Sequence, residues 1–327
     1  MEVQVTRGDL VESVHEIAAC AIDTDGNVVF SSGNIDEPVY LRSTAKPFIA
    51  AAAIAAGVRE KFEIQPHEIA LMAASHTGEP FHVAAARSIL DKIGMDESAL
   101  QCGAHLPYNA EAAADLQRRG IAPTPIYNNC SGKHAGILAL CKAIGADPST
   151  YMNTDNPAQQ RILDLCARVS DENTAKMPLG VDGCGIPVYA TSLRHAALSF
   201  VRLATLENGL NEEDAAALRI VRDSMMAHPE YVSGTGEFDS ELMETAQRTL
   251  ACKSGAEGVH GTAVIGRGGL VVKVVDGTSR ARGPAVLSIL RSLGWVSEST
   301  LKDLHAFERP HLRNRAGTLV GEVRAVV

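Results

Sequence analysis

The 327-residue chain contains no apolar run long enough to cross a membrane. Its longest, Pro47 to Val58, is mostly alanine and falls far short of the ~20 residues a spanning helix requires. It also lacks any run of five or more basic residues, and 39 acidic side chains outnumber 30 basic ones for a net charge of -9 spread along the chain. Nucleic acids and anionic membranes are bound through clustered Lys and Arg, so neither is expected as a partner. No CxxC occurs among the seven widely spaced cysteines, and the odd count argues against a disulfide framework. The N-terminal MEVQVTRGDLVE has no apolar signal core, which makes the cytoplasm the expected compartment. GxSxG and GxGxxG are both absent. Gly132-Lys133 is followed by His134 where a P-loop needs Ser or Thr, and His67-Glu68 lacks the second histidine of a metalloprotease helix.

What remains is an apolar content of 46% with 21% charged residues, enough to bury a substantial core. Two β-prone runs at the N-terminus, VHEIAACAID and VVFSS, flank a Thr24-Asp25-Gly26-Asn27 turn and read as a hairpin. Near the C-terminus, HGTAVIG and LVVKVVD flank Arg267-Gly268-Gly269 in the same way, and a last strand is expected over Thr318 to Val327. Between the hairpins lie amphipathic, alanine-rich stretches that predict helices over Pro47–Ala56, Pro80–Ile93, Lys133–Ile144, Pro157–Ser170, Thr191–Leu206, Glu212–Ala227 and Glu241–Thr249. Strands at both ends with helices between them predict an α+β, three-layer α/β fold: one mostly antiparallel sheet from the N- and C-terminal strands, helices on both faces, and a helical inserted region. The whole of 1–327 is then a single catalytic unit, with its sheet layer in about 1–32 and 255–327 and its helical region in about 43–250.

Three constellations carry chemistry. Arg42-Ser43-Thr44-Ala45-Lys46-Pro47 holds SxxK at the mouth of an alanine-rich helix. Proline is tolerated only in a first helical turn, so Ser43 lies near a helix N-terminus, where a lysine one turn on can accept the serine proton. Capping by Ser43 or Thr44 beside a solvated Lys46 is the simpler reading of the same residues. Cys252-Lys253-Ser254-Gly255 precedes a predicted strand, and a K-S-G triplet paired with SxxK is the arrangement of serine acyl-transferases, with Lys253 lining the pocket. Asn128-Asn129-Cys130-Ser131-Gly132-Lys133-His134 opens a helix, and Val181-Asp182-Gly183-Cys184-Gly185-Ile186-Pro187 follows as a glycine-rich loop. Two thiolates and a nitrogen can bind zinc; on chemistry alone the nitrogen would be that of His134, because a lysine must first lose its proton, and buried inert thiols are the simpler reading. Ser75-His76-Thr77-Gly78-Glu79-Pro80 opens another helix, and there a catalytic helper serine and an N-terminal cap fit equally well.

Taken in order, RSTAKPF, ASHTGEP, NNCSGKHAG and VDGCGIP, followed by KSG, resemble the rhizobial-type (class 3) L-asparaginases over essentially the whole chain. The resemblance implies a β-lactamase/glutaminase-like fold, a homodimer, a zinc ion, and hydrolysis of L-asparagine to L-aspartate and ammonia. It also implies roles: Ser43 as nucleophile, Lys46 as its base, and Ser75 bridging to a second Ser-Lys tandem. Arg42, Asn129, His134 and Asp182 then surround the substrate, while Cys130, Lys133 and Cys184 hold the zinc, which replaces His134 by Lys133 as the nitrogen ligand. Cys20, Cys102, Cys141, Cys166 and Cys252 remain as packing residues. A glutaminase, a β-lactam-acylating hydrolase, and a non-enzymatic amino-acid sensor or structural zinc protein are the rival readings.

Overall fold

The computed structural model describes residues 1–326. Its strands are Glu2–Arg7 (β1), Leu10–Asp23 (β2), Val28–Ser32 (β3), Pro38–Tyr40 (β4), Leu179–Val181 (β5), Pro187–Ser192 (β6), Leu250–Ser254 (β7), Val259–Val264 (β8), Gly268–Val274 (β9), His311–Arg313 (β10) and Leu319–Val326 (β11). The chain divides into two compact units, one of Met1–Thr44, Thr191–Thr205 and Glu241–Val327, the other of Ala45–Ala190 and Leu206–Ser240.

The first unit is built on an antiparallel sheet in the order β10-β11-β1-β2-β9-β8-β7, with β3 also paired to β2. Strand β2 organises it. Its first half pairs with β1, while Ile17 to Asp23 pair with β9 and Ala19 to Ile22 with β3. Ala19, Cys20 and Ala21 are therefore buried on both faces, as a central strand demands. The β2–β3 turn is set by its own chemistry: the Asp23 carboxylate accepts from the amides of Asp25 and Asn27, and Gly26 adopts φ +88.

Helix Leu193–Thr205 lies on one face of this sheet and helix Arg282–Ser292 on the other. The second face is lined by Val3, Val5, Ile17 and Val272, all fully or nearly fully buried. On the first face the approach is so close that a Cβ at Gly261 would enter the Phe200 ring, and one at Gly269 would meet the Ala197 carbonyl. This corrects the expected Arg267-Gly268-Gly269 turn. Both glycines belong to β9, and the turn is Ile265 to Arg267, with Gly266 at φ +71. The result is the three-layer α/β arrangement of the β-lactamase/glutaminase-like fold. The sheet begins at Leu250, five residues before the expected 255, because β7 pairs with β8 through Lys253 and Ser254.

The second unit is mainly helical, with β5 and β6 forming a short ladder inside it. Its centre is helix Lys46–Ala55, buried along almost its whole length. Its run of small alanines lets the helices Ser131–Ile144, Pro157–Ser170 and Glu212–Ala227 pack against it. Two of these have the expected bounds because their starts are chemically explicit: Asn156 precedes Pro157 and caps through Ala158 N, and Asn211 caps through Asp214 N. The helix expected at Glu241–Thr249 runs instead over Phe238–Thr245. Helix Ser131–Ile144 meets Pro66–Met72 through glycine: a Cβ at Gly132 would strike the Leu71 carbonyl, and one at Gly136 would sit 2.9 Å from Met72 Cγ. These two glycines, one turn apart, explain the spacing of GKHAG. Among the described residues no helix is long and apolar enough to cross a membrane.

Candidate active site

Lys46 is the first residue of the buried helix and is 1% exposed. Its Nζ donates to the Ala74 carbonyl at 2.5 Å, to Ser75 Oγ at 2.9 Å and to Cys130 Sγ at 3.2 Å. A lysine nitrogen in so dry a place needs hydrogen-bond partners, and these three acceptors supply them. The proline that follows fixes the first turn and so aims this side chain.

The Ser75 loop is held from two sides. The Ser75 amide donates to the Val232 carbonyl at 2.9 Å, and the His76 amide to the Asn129 carbonyl at 3.1 Å. His76 is fully buried. Gly78 N donates to its Nδ1, so its Nε2 carries the proton and donates to Ser131 Oγ at 2.9 Å. Its ring stacks on that of His82 at 4.8 Å, and His82 Nε2 bonds the Glu230 carbonyl at 2.9 Å. Burial holds both imidazoles below the ordinary histidine range, His82 down to about 4. Glu79, at the mouth of helix Pro80–Lys92, accepts from Thr77 Oγ1 and from the Thr235 amide. Gly234, at φ +133, lies so close to Thr77 that any side chain there would collide with it. Ser75 therefore sits in a loop clamped by its neighbours, and Gly234-Thr235-Gly236 belongs to the clamp.

Cys130 and Lys133 open helix Ser131–Ile144, and Cys184 comes from the glycine-rich loop. Lys133 Nζ lies 2.9 Å from Cys184 Sγ and is 2% exposed. The Cys130 thiol is held well below the ordinary range by a hydrogen bond from Cys184 and by Lys133 and Lys46, against the opposing effect of burial. Cys184, as the donor in that bond, is pushed up. Burial works against the Lys133 ammonium, but Cys130, Cys184 and Asp182 outweigh it and raise its pKa. The donor set is thus two sulfurs, one readily held as a thiolate, with an amine nitrogen against the other. That chemistry fits zinc.

His134 is fully buried, and its Nδ1 lies 2.6 Å from the Tyr151 hydroxyl. Burial, with Lys133 and Lys46 nearby, keeps the imidazole well below the ordinary histidine range. Asn129 is half-buried, and its amide donates to His105 Nε2 at 3.1 Å. Asp182 is half-buried in a tight loop. It accepts from Gly183 N through Oδ1 at 2.8 Å, its backbone pairs with Ile186, and its Oδ2 lies 3.9 Å from Cys184 Sγ.

In the first unit, Arg42 and Ser43 stand half-buried in a 3-10 turn, Arg42–Ala45, with Arg42 at φ +51. Left-handed backbone is unusual for arginine and is kept only where the surroundings impose it. Lys253 is fully buried on β7 and donates to the Ser254 carbonyl at 2.8 Å. A Cβ at Gly255 would lie 3.1 Å from the Leu41 carbonyl and 3.3 Å from Thr44 N. The K-S-G segment therefore ends against the turn that carries Ser43.

Within the second unit the fold joins Lys46, Ser75, Cys130, Lys133 and Cys184 in one chain of contacts, with Asp182 beside Cys184 and Asn129 tied to the Ser75 loop. Three residues with no role in the sequence reading stand among them: His76, His105 and Tyr151. Only His76 had a local signal, its place in the ASHTGEP loop.

Comparison with known proteins places the chain as follows. No curated protein matches it. Solved structures named Mglu show a distant likeness: the native form in the presence of 4.3M NaCl at 14% identity and TM-score 0.41, over 85% of this chain and 61% of that one, and the L-glutamate binding form at 13% identity and TM-score 0.43 over the same shares. The chain thus spans about three fifths of their length. The family model for L-asparaginase II matches residues 3–325. That match covers nearly all of the chain, and the protein is a member of the L-asparaginase II family of amidohydrolases.

Proposed function

We propose that the protein is an L-asparagine amidohydrolase of the rhizobial type, converting L-asparagine and water to L-aspartate and ammonia by serine acyl transfer. The observation that carries this reading, within an amidohydrolase family, is the buried Lys46 Nζ bonded at once to Ser75 Oγ and Cys130 Sγ.

Ser43 Oγ attacks the side-chain amide carbon of asparagine and passes its proton to neutral Lys46. The three acceptors around Nζ suit the protonated lysine that this transfer produces. The tetrahedral intermediate expels ammonia, which takes a proton returned through Lys46 and Ser75, and a β-aspartyl ester remains on Ser43. Water adds to the ester, loses its proton to Lys46, and releases aspartate as Ser43 recovers its hydrogen. Backbone amides of the turn at Ser43 stabilise the oxyanion, an effect worth several kcal/mol in comparable sites. Arg42, Asn129, His134 and Asp182 provide the mixed polarity that a free amino acid requires, and Lys253 adds a second buried lysine.

Cys130, Lys133 and Cys184 would hold zinc, which supplies a fixed positive charge that organises the polar groups of the substrate pocket. Binding it requires Lys133 to give up the proton that its sulfur neighbours favour, so zinc affinity rises with pH. A homodimer in the cytoplasm completes the reading.

The test is ammonia release from asparagine and glutamine measured beside turnover of a chromogenic β-lactam, in the parent protein and in Ser43→Ala and Lys46→Met. Asparagine should be the preferred substrate, with losses of at least ~10³-fold in both variants. Glutamine or β-lactam preference would overturn the substrate, and an active Ser43→Ala would overturn the nucleophile.

A further inference from the structure

The Tyr151 hydroxyl stands between two nitrogens. Its oxygen receives the backbone N–H of Gln101 at 2.8 Å, and His134 Nδ1 lies 2.6 Å away. Tyr151 is 0% exposed, its own carbonyl is held by Gln159 Nε2 at 2.7 Å, and its ring stands edge-on to the imidazole at 5.5 Å. The Gln101 amide can only donate, so the phenol proton must go elsewhere. If His134 Nδ1 carried a proton and donated to the phenol, the phenol proton would be left buried and unbonded. The same count disfavours an imidazolium. The arrangement that satisfies the Gln101 amide, the phenol and Nδ1 together has Tyr151 donating to Nδ1, which leaves the ring proton on Nε2. His134 Nε2 is itself buried and has no hydrogen-bond partner among the described residues. A fully buried donor without an acceptor is retained where something outside the chain supplies one.

We propose that Tyr151 is a positioning residue of the amidohydrolase: it locks His134 in the Nε2–H tautomer, so that the imidazole offers a preorganised donor to a carboxylate or carbonyl oxygen of the substrate. This rests on the amidohydrolase reading and adds a residue to it. An ammonium group of the substrate cannot occupy that position, because it has no lone pair to offer. The tautomer is chosen by the fold: Gln101, Tyr151 and His134 come from three separate segments.

Nitrogen-15 spectra of the full-length protein labelled at histidine, with His134 assigned by its loss in His134→Gln, read the tautomer directly. The expected result is Nε2–H in the parent protein and a mixture of both tautomers in Tyr151→Phe. Nδ1–H in the parent, or an unchanged signal in Tyr151→Phe, overturns the proposal. Kinetically, Tyr151→Phe should lower kcat/KM by about 10- to 100-fold, the loss of one positioned hydrogen bond. Glutamine places an N–H near the Nε2 position, whereas asparagine places one near Nδ1. His134→Gln should therefore retain more activity than His134→Asn, and adding Tyr151→Phe to His134→Gln should cost little more. Equal losses in Gln and Asn, or additive losses in the double variant, overturn the proposal even if Tyr151→Phe alone folds poorly. The tautomer readout is independent of which amide is hydrolysed, so failure of asparagine as substrate would strike the proposed reaction and leave this test standing.

Discussion

His76 donates from Nε2 to the hydroxyl of Ser131 at 2.9 Å, and by that bond the loop carrying Ser75 is fastened to the first turn of the helix carrying Lys133. The contact spans 55 residues of sequence and involves two groups with no exposure to solvent. It joins the serine side of the candidate site to the sulfur side.

His76→Ala should therefore damage more than packing. It removes a buried ring, unbonds Ser131 Oγ and strands the Gly78 amide, so a destabilisation of about 2–4 kcal/mol is expected. Urea unfolding checks the stability. Ammonia release by the folded fraction should fall as well, because the loop carrying Ser75 loses its side-chain tie to helix Ser131–Ile144. Unchanged unfolding would show that the bond carries no load.

The paired imidazoles also set an acid limit. Both His76 and His82 have folded-state pKa values below their unfolded value of ~6.5, His82 at about 4. Above pH ~6.5 neither state binds the proton and stability does not depend on these groups. As pH falls from ~6.5 toward 4, the unfolded chain takes up protons that the folded one refuses, and His82 alone costs roughly 3 kcal/mol over that window. His76 adds in the same direction. Thermal unfolding between pH 7 and 4 should show this loss, and His82→Gln should flatten it. A transition temperature that does not move across that range would contradict neutral burial of these rings.

For the metal, protein purified without added zinc should contain it at near one per chain, and Cys130→Ser should lose most of it. Cys141→Ser is the control, since Cys141 is equally buried but lies further along the helix, beside Asn156. Equal zinc in Cys130→Ser and the parent would remove Cys130 from the ligand set.

Gly261→Ala tests the first unit. The added methyl would enter the Phe200 ring, and overpacking of a tight core costs about 1–3 kcal/mol. Phe200→Leu, which makes room, should recover part of the loss in the double variant. If Gly261→Ala and Phe200→Leu simply add, the two positions do not press on each other.

Much of the fold was legible where local chemistry announces it. Asn156 before Pro157 and Asn211 before an acidic first turn mark helix starts that tertiary packing has no reason to move, and the Asp-Gly turn between β2 and β3 supplies its own hydrogen bonds. The reading failed where glycine serves a neighbour instead of a turn. Gly268 and Gly269 look like a hairpin tip, yet they are strand residues left bare for their neighbours: Gly269 so that helix Leu193–Thr205 can lie on it, and Gly268, at φ +147, because a Cβ there would strike the Ile22 carbonyl of β2. Helix Phe238–Thr245 starts three residues before the expected Glu241.

By itself, then, the sequence determined the helices with explicit caps, the terminal strands, and a family of motifs that names an amidohydrolase. These depend on neighbours within a turn or two. Only the tertiary structure decided that Lys46 meets Ser75, 29 residues away, and Cys130, 84 residues away, and that Tyr151 chooses the proton position on His134. Such relationships carry no local pattern, because a buried polar group is satisfied by whatever partner the fold brings to it.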